Sequence, residues 1–260
     1  MEQLLLERFG EQGVAGFFLV LARLSPLFVL APMFSSKLVP GRVRGLVAVA
    51  LAVGLTPVVI GDRRIPLGAV DYSGLLLKEL LVGLGFAFAL GALFAAVTVA
   101  GSFIDTLIGF SFGSLVDPVN GTQTTVLAQL YSLLGVLVFI AIGGDAWVLG
   151  GFARTYDVVG ALELPSIATM VAGADDAFVG IFLAAVQIAG PIMLALILTD
   201  VAFGLVSRVV PQLNVFAVGF PAKLVVGMLL LGVTLPFVGG WLADEVQSSV
   251  SEALRTLKVA

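Results

Sequence analysis

The chain contains no cysteine and no histidine in its 260 residues. Without cysteine, disulfide bonds and thiolate chemistry are excluded, and the redox compartment is left open. Without either residue, the usual ligands of a protein zinc site are missing. A Ser-His-Asp triad and an imidazole proton relay are excluded as well. These two absences remove most common catalytic and metal-binding arrangements.

Charged residues are also scarce. They make up 12% of the chain, whereas hydrophobic residues make up 60%, and the mean hydropathy is +1.15. Soluble domains average about 25% charged residues, so the deficit indicates a polytopic membrane protein. The formal net charge of −4 provides no basic face for nucleic acid.

One short motif matches a sequence signature of hydrolases. Residues 109–113 read GFSFG and match the G-x-S-x-G nucleophile elbow, but that elbow requires a histidine partner and a preceding strand. The sequence has no G-x-x-x-x-G-K-[ST] phosphate loop and no carboxylate cluster typical of a metal site. We therefore expect no enzyme activity, no cofactor, and no catalytic, cofactor-binding or metal-binding residues.

Six apolar segments dominate the chain, and each approaches or exceeds the roughly 20 residues that span a hydrocarbon core. No strand-like alternation of useful length occurs, so the predicted fold is all-α, with helices kinked by proline and paired in helical hairpins. The segments are residues 14–34, 43–60, 75–103, 126–142, 178–205 and 215–241. An acidic loop is expected between the fourth and fifth of them.

The third segment carries small residues at every fourth position. This spacing lets helix backbones approach closely in a membrane, where lipid supplies no hydrophobic drive between helices. Packing within a hairpin and packing at a subunit interface both remain open. The residues are Gly83, Ala87, Gly91 and Ala95.

Residues 242–258 change character and form an amphipathic helix in the prediction. Apolar residues recur at helical spacing from Leu242 to Leu257, opposite a polar face that carries Asp244, Glu245 and Glu252. Because that face is acidic, it has little attraction for anionic lipid. We expect this helix to dock on a partner or on the chain's own bundle.

Polar residues interrupt the apolar surface between the fifth and sixth segments. Ionised groups at membrane depth cost roughly 2.5–3.5 kcal/mol, so they normally face protein or a water-filled path. Pro211 and Pro221 lie within the same stretch and are expected to end or kink its helices. We expect an intersubunit or interhelical polar network that also includes Arg23 of the first segment, with a proton or substrate site as the alternative. For Gln212 and Asn214, capping of freed backbone and lining of an entrance that faces the cytoplasm also remain open. The members of the network are Arg23, Asp200, Arg208, Gln212, Asn214 and Lys223.

The GFSFG stretch has a second interpretation besides the excluded enzyme. Gly109 and Gly113 give the backbone freedom, Phe110 and Phe112 present bulky rings, and turn residues follow from Asp117 onward. Phenylalanine rings close a hydrophobic constriction without requiring hydrogen bonds. From the residues alone, an ordinary loop between helices and a pore element both remain open.

Several strings of the sequence resemble the FliR family of flagellar export-gate proteins, whose relatives are the T-subunits of virulence type III secretion systems. Residues 200–208 read DVAFGLVSR, and 211–216 read PQLNVF, the most specific of the strings. GFPAK at 219–223, RLSP at 23–26 and VPGRVR at 39–44 add support. With the GFSF element, the resemblance covers nearly the whole chain.

The resemblance implies a single export-gate domain over residues 1–260 within a multi-subunit assembly. The implied function is passage of unfolded flagellar subunits through a channel built with FliP and FliQ, with FlhB at the cytoplasmic side and the bacterial inner membrane as the location. In proteins of this family a loop contributes to a plug that closes the channel. The implied plug residues are Phe110, Phe112 and Gly113.

Two other functions stay open at this level. The first is a virulence T-subunit, which has the same mechanism and a different cargo. The second belongs to another class: a stand-alone secondary transporter of a small solute, suggested by the broken helices and by Asp200. That alternative predicts an internal inverted repeat, and we find no convincing one.

Overall fold

The computed structural model describes residues 2–31, 40–61, 63–110, 126–163, 165–212 and 214–256. Within these ranges the chain forms seven α-helices and no strand, so the predicted all-α fold is confirmed. In chain order the helices are α1 (Glu2–Leu30), α2 (Gly41–Ile60), α3 (Ala69–Ile108), α4 (Val126–Ala141), α5 (Gly144–Val158), α6 (Ile167–Val209) and α7 (Val215–Thr256).

Three helices extend well beyond the apolar segments that predict them. α3 and α6 contain 40 and 43 residues, and α7 continues from the last apolar segment into the amphipathic stretch. The prediction of an acidic loop between the fourth and fifth segments is wrong for most of its length, because α5 lies there and α6 already begins at Ile167. The acids Asp145 and Asp157 lower the hydropathy of α5, yet its other face buries Val148 and Phe152.

In the part of the chain that the structure describes, proline lies inside helices at five positions. Each proline removes one backbone donor, which is tolerated at membrane depth where neighbouring groups satisfy the freed carbonyl. α1 also contains one non-helical residue, Gly10, with a φ of 64°. The five prolines are Pro26, Pro57, Pro191, Pro221 and Pro236.

Five of the helices described are long and apolar enough to cross a membrane, namely α2, α3, α6, most of α7, and α1 from Gly10 onward. α4 and α5 meet at an angle of 76° and pass the same test as a pair, which brings the number to six. Gly143 makes this bend with a φ of 68°, a conformation that favours glycine. The prediction of a polytopic membrane protein is confirmed.

The chain divides into two compact units. Unit 1 comprises Met1–Ala92, Gly143–Phe178 and Val246–Ala260; unit 2 comprises Leu93–Ile142 and Val179–Glu245.

In unit 1, the small residues of α3 allow α1 to approach. A Cβ placed on Gly83 would overlap the backbone carbonyl of Arg23, and one on Gly91 would lie 3.5 Å from the carbonyl oxygen of Leu30. Ala87, between these glycines, is fully buried. Ala95, the last of the four small residues, belongs to unit 2 and is half-buried.

In unit 2, aromatic and small residues form the contacts between helices. Phe94 of α3 and Phe139 of α4 meet edge to face, with ring centroids 5.4 Å apart. A Cβ on Gly227 of α7 would come within 2.5 Å of Cδ1 of Ile108. The end of α3 is therefore packed closely against α7.

Gly83→Ala tests the contact between α1 and α3. The added methyl group meets backbone rather than a flexible side chain, and overpacking of this kind costs about 1–3 kcal/mol. We expect a lower thermal unfolding midpoint for the protein in detergent.

Gly74→Ala is the matched control, because it lies in the same helix with open space around its Cβ position. It should be neutral or stabilise by up to about 1 kcal/mol through helix propensity. Equal midpoints for the two variants would show that the close contact is absent.

Candidate functional site

Arg23 of α1 lies at the centre of a buried charged cluster in unit 1. Its side chain and that of Glu79 on α3 are both fully buried. The guanidinium donates from Nε to Oε2 and from Nη2 to Oε1 of Glu79, the latter over 3.1 Å. This fork-to-fork geometry is the strong form of a charged hydrogen bond.

The remaining donors of Arg23 reach α5. Nη1 donates to Oγ1 of Thr155 over 3.2 Å, and Nη2 donates to the carbonyl oxygen of Val159 over 3.0 Å. The guanidinium carbon lies 3.8 Å from the ring centroid of Tyr156, a cation–π arrangement. One arginine therefore joins α1, α3 and the end of α5.

Lys78 completes the cluster. Its Nζ lies 2.7 Å from Oε1 of Glu79 and donates to the carbonyl oxygens of Gly160 and Ala161 over 2.9 and 2.8 Å. Two cations thus share one carboxylate. The excess positive charge faces carbonyl oxygens just after α5, where the helix dipole is negative.

This cluster is suited to holding helices together rather than to chemistry on a substrate. Its donors are directed at oxygens of the same unit, and buried charges remain stable only when paired and hydrogen-bonded. Arg23 was expected in a polar network, and the structure gives it partners on α3 and on and after α5.

A cavity of about 930 Å³ lies in unit 2, between the end of α3, α6 and α7. Its walls are mainly apolar, and it has room for side chains of another protein or for a small amphiphile. Its lining includes Ile108, Phe110, Asp200, Phe203, Phe220 and Lys223.

Asp200 and Lys223 form an ion pair at this cavity, and it joins α6 to α7. Asp200 is 48% exposed and Lys223 is 20% exposed, so the pair is partly open to its surroundings. Lys223 Nζ also donates to the carbonyl oxygen of Leu107 over 3.3 Å. The lysine therefore binds the last turn of α3 as well.

Phe110 follows the end of α3 and enters the same cavity. Gly109, with a φ of 102°, turns the chain, and the Phe110 ring meets that of Phe220 edge to face with centroids 6.5 Å apart. Phe112 and Gly113, the other expected plug residues, lie outside the described residues.

Of the expected polar set, the structure brings Asp200 and Lys223 together. Asn214 caps α7, because its Oδ1 accepts the N–H of Ala217 over 3.2 Å; asparagine commonly takes this role at a helix start, and the sequence left it open for Asn214. Arg208 lies in the last turn of α6 and is exposed, as is Gln212 in the turn that follows.

Three buried charged residues of the described chain were not predicted from the sequence: Lys78, Glu79 and Asp105. All lie on α3, and each is at most 3% exposed. The available signal was their position within or next to a long apolar run, where an ionised group needs a partner. Among the residues described, no group of three Asp or Glu side chains is placed to hold a metal ion.

Comparison with known proteins gives consistent results over most of the chain. A family model described as "Bacterial export proteins, family 1" matches residues 14–249. The chain is similar to the flagellar biosynthetic protein FliR of Bacillus subtilis (strain 168), with 32% identity over 85% of this chain and 86% of that protein. It is also similar to FliR of Escherichia coli (strain K12), with 30% identity over 85% of each.

A third relative carries a different name. The surface presentation of antigens protein SpaR of Shigella sonnei is 29% identical over 82% of both chains.

Glu79→Gln tests the buried cluster. It leaves Arg23 and Lys78 buried without their shared carboxylate, and removal of one partner from a buried ion pair costs about 3–5 kcal/mol. We expect a large drop in the thermal unfolding midpoint in detergent, or loss of folded protein. Asp71→Asn, an exposed acid-to-amide change in the first turn of the same helix, should cost at most about 1 kcal/mol; similar losses for both would contradict the cluster's role.

Proposed function

The chain belongs to family 1 of the bacterial export proteins, and from this membership we propose that it is a subunit of the flagellar type III protein export gate. The match of the family model to residues 14–249 is the observation that carries the proposal. Export by a multi-subunit gate is favoured over a stand-alone solute transporter, because this family is one of export proteins.

The flagellar branch is favoured by the relatives' names. The two flagellar biosynthetic proteins compared are 32% and 30% identical to the chain, and the surface presentation of antigens protein is 29% identical. The PQLNVF string at 211–216, which resembles the flagellar proteins, supports the same assignment.

The partners proposed are FliP and FliQ in one hetero-oligomeric complex, with FlhB at the cytoplasmic side, in the bacterial inner membrane. α6 and α7 expose most of their apolar surface, which lipid or partner subunits would cover. In their most apolar windows α6 and α7 bury 28% and 17% of their residues, whereas α1 and α3 bury 56%. α6 also carries Asp200 and Arg208, and intramembrane charges favour protein neighbours over lipid.

We further propose that the two units act as one export-gate domain over residues 1–260. The family match extends from residue 14 to residue 249 and so includes segments of both units. The chain would serve as a channel wall for unfolded subunits rather than as an enzyme, and the energy for export would come from other components.

The channel is proposed to be closed by the Phe110 region, with Phe112 and Gly113 as further members of the plug. The support from the structure is the position of Phe110. Its ring lies in the cavity against Phe220 of α7, and in the proposed closed gate this apolar contact would exclude water and ions.

Deletion of the gene for this chain tests the flagellar assignment. We expect loss of filaments and of exported flagellar subunits from the culture medium, with both restored by the gene in trans. Normal filaments in the deletion strain would refute the assignment. Affinity purification of the restored chain should bring down FliP and FliQ.

Phe110→Ala tests closure. Removal of the ring opens the apolar contact with Phe220, so liposomes carrying the co-expressed complex should leak potassium faster than those with the unaltered complex. Phe220→Ala should act in the same direction. Phe237→Ala is the control, because that ring lies on the same helix as Phe220 but is 74% exposed; an unchanged leak in both cavity variants would refute the plug.

A further inference from the structure

Asp105 is a buried carboxylate that the expected polar network did not include. It lies on α3, three residues before the helix ends at Ile108, and its side chain is fully buried. A carboxylate in such a place persists only if it has a specific partner.

That partner is the start of α4. Oδ1 of Asp105 accepts the backbone N–H of Leu127 over 3.1 Å, and Leu127 is the second residue of α4. The first N–H groups of a helix have no partner within the helix, and a negative charge at that end is stabilised by the helix dipole. Asp105 therefore caps α4 from a different helix.

The backbone of the same residue holds Phe110. The carbonyl oxygen of Asp105 accepts the N–H of Gly109 over 3.0 Å and that of Phe110 over 3.2 Å. Asp105 thus contacts the last turn of α3 through its backbone and the first turn of α4 through its side chain. The chain between these two points contains 17 residues, from Gly109 to Thr125.

Gly101, one turn before Asp105, makes the approach of α4 possible. A Cβ on Gly101 would lie 2.7 Å from both the Cα of Ala128 and the carbonyl oxygen of Leu127. Only a glycine lets the two backbones come this close. The carboxylate and the glycine hold the same turn of α4.

We propose that Asp105 is a positioning residue of the export gate, which fixes Phe110 relative to the start of α4. The proposal rests on the proposed function, in which Phe110 closes the channel. Oδ2 of Asp105 has no hydrogen-bond partner among the described residues. The bond from the N–H of Leu127 to Oδ1 is therefore the contact by which the side chain would hold α4. An asparagine keeps that acceptor, whereas a leucine of similar size removes it.

The first measurement is structural and does not depend on the plug. Because the chain has no cysteine, spin labels can be attached to two introduced cysteines, Thr106→Cys and Leu133→Cys, at exposed sites on α3 and α4. In the co-expressed complex, Asp105→Leu should raise the fraction of molecules in which the distance between the two labels differs from that in the unaltered chain. The expected increase is about tenfold or more, the factor for losing one hydrogen bond to a charged group. Asp105→Asn should keep the distances of the unaltered chain.

The second measurement is the potassium leak of liposomes that carry the same complexes. Asp105→Leu should leak as Phe110→Ala does, and Asp105→Asn should remain closed. Ser102→Ala is the control, since that hydroxyl donates within its own helix, to Thr98. If Asp105→Leu does not assemble, Gly101→Ala takes its place, because its methyl group meets the same turn of α4.

The two measurements separate the possible failures. Unchanged distances in Asp105→Leu, or in Gly101→Ala where that variant is used, would overturn the positioning role. If the label distances change in Asp105→Leu but its channel stays closed, while Phe110→Ala leaks, the link between Asp105 and closure is overturned. If Phe110→Ala does not leak either, the plug proposal fails, and displaced distances would still support Asp105 as the residue that positions α4.

Discussion

The fork-to-fork pair of Arg23 and Glu79 is the interaction on which unit 1 depends. Both side chains are fully buried between apolar helices, and a charge left unpaired in such a place strongly destabilises the fold. The pair fixes α1 against α3, and the further donors of Arg23 and Lys78 bind the end of α5. The backbone carbonyl oxygens just after α5 accept hydrogen bonds from these two cations.

In unit 2, charges on the apolar helices also have partners, but not all of them are buried. Asp200 and Lys223 pair across α6 and α7 but remain partly exposed, and Asp105 uses the N-terminus of α4 in place of a cation. All three lie near the end of α3, which also leads to Phe110. The contacts of Lys223 and Asp105 therefore hold the last turn of α3 and the first turn of α4, next to the proposed plug.

The resemblance and the apolar pattern predicted the fold class and the family, but the polar contacts only in part. Arg23, Asp200 and Lys223 were identified because each interrupts an apolar run. Lys78 and Glu79 were missed because they stand at the edge of a segment, where charges usually face water. α5 was missed because its exposed acids conceal a buried face that includes Phe152.

The sequence by itself determined the all-α membrane class, the absence of histidine and cysteine chemistry, and the places where glycine and proline alter the helices, because each follows from local composition and spacing. The tertiary structure alone decided which charges pair. Glu79 is 56 residues from Arg23 along the chain, and Asp105 is 22 residues from Leu127. No periodicity encodes such distances, since a partner is chosen by which helices pack together and how closely glycines such as Gly83 and Gly101 let them approach.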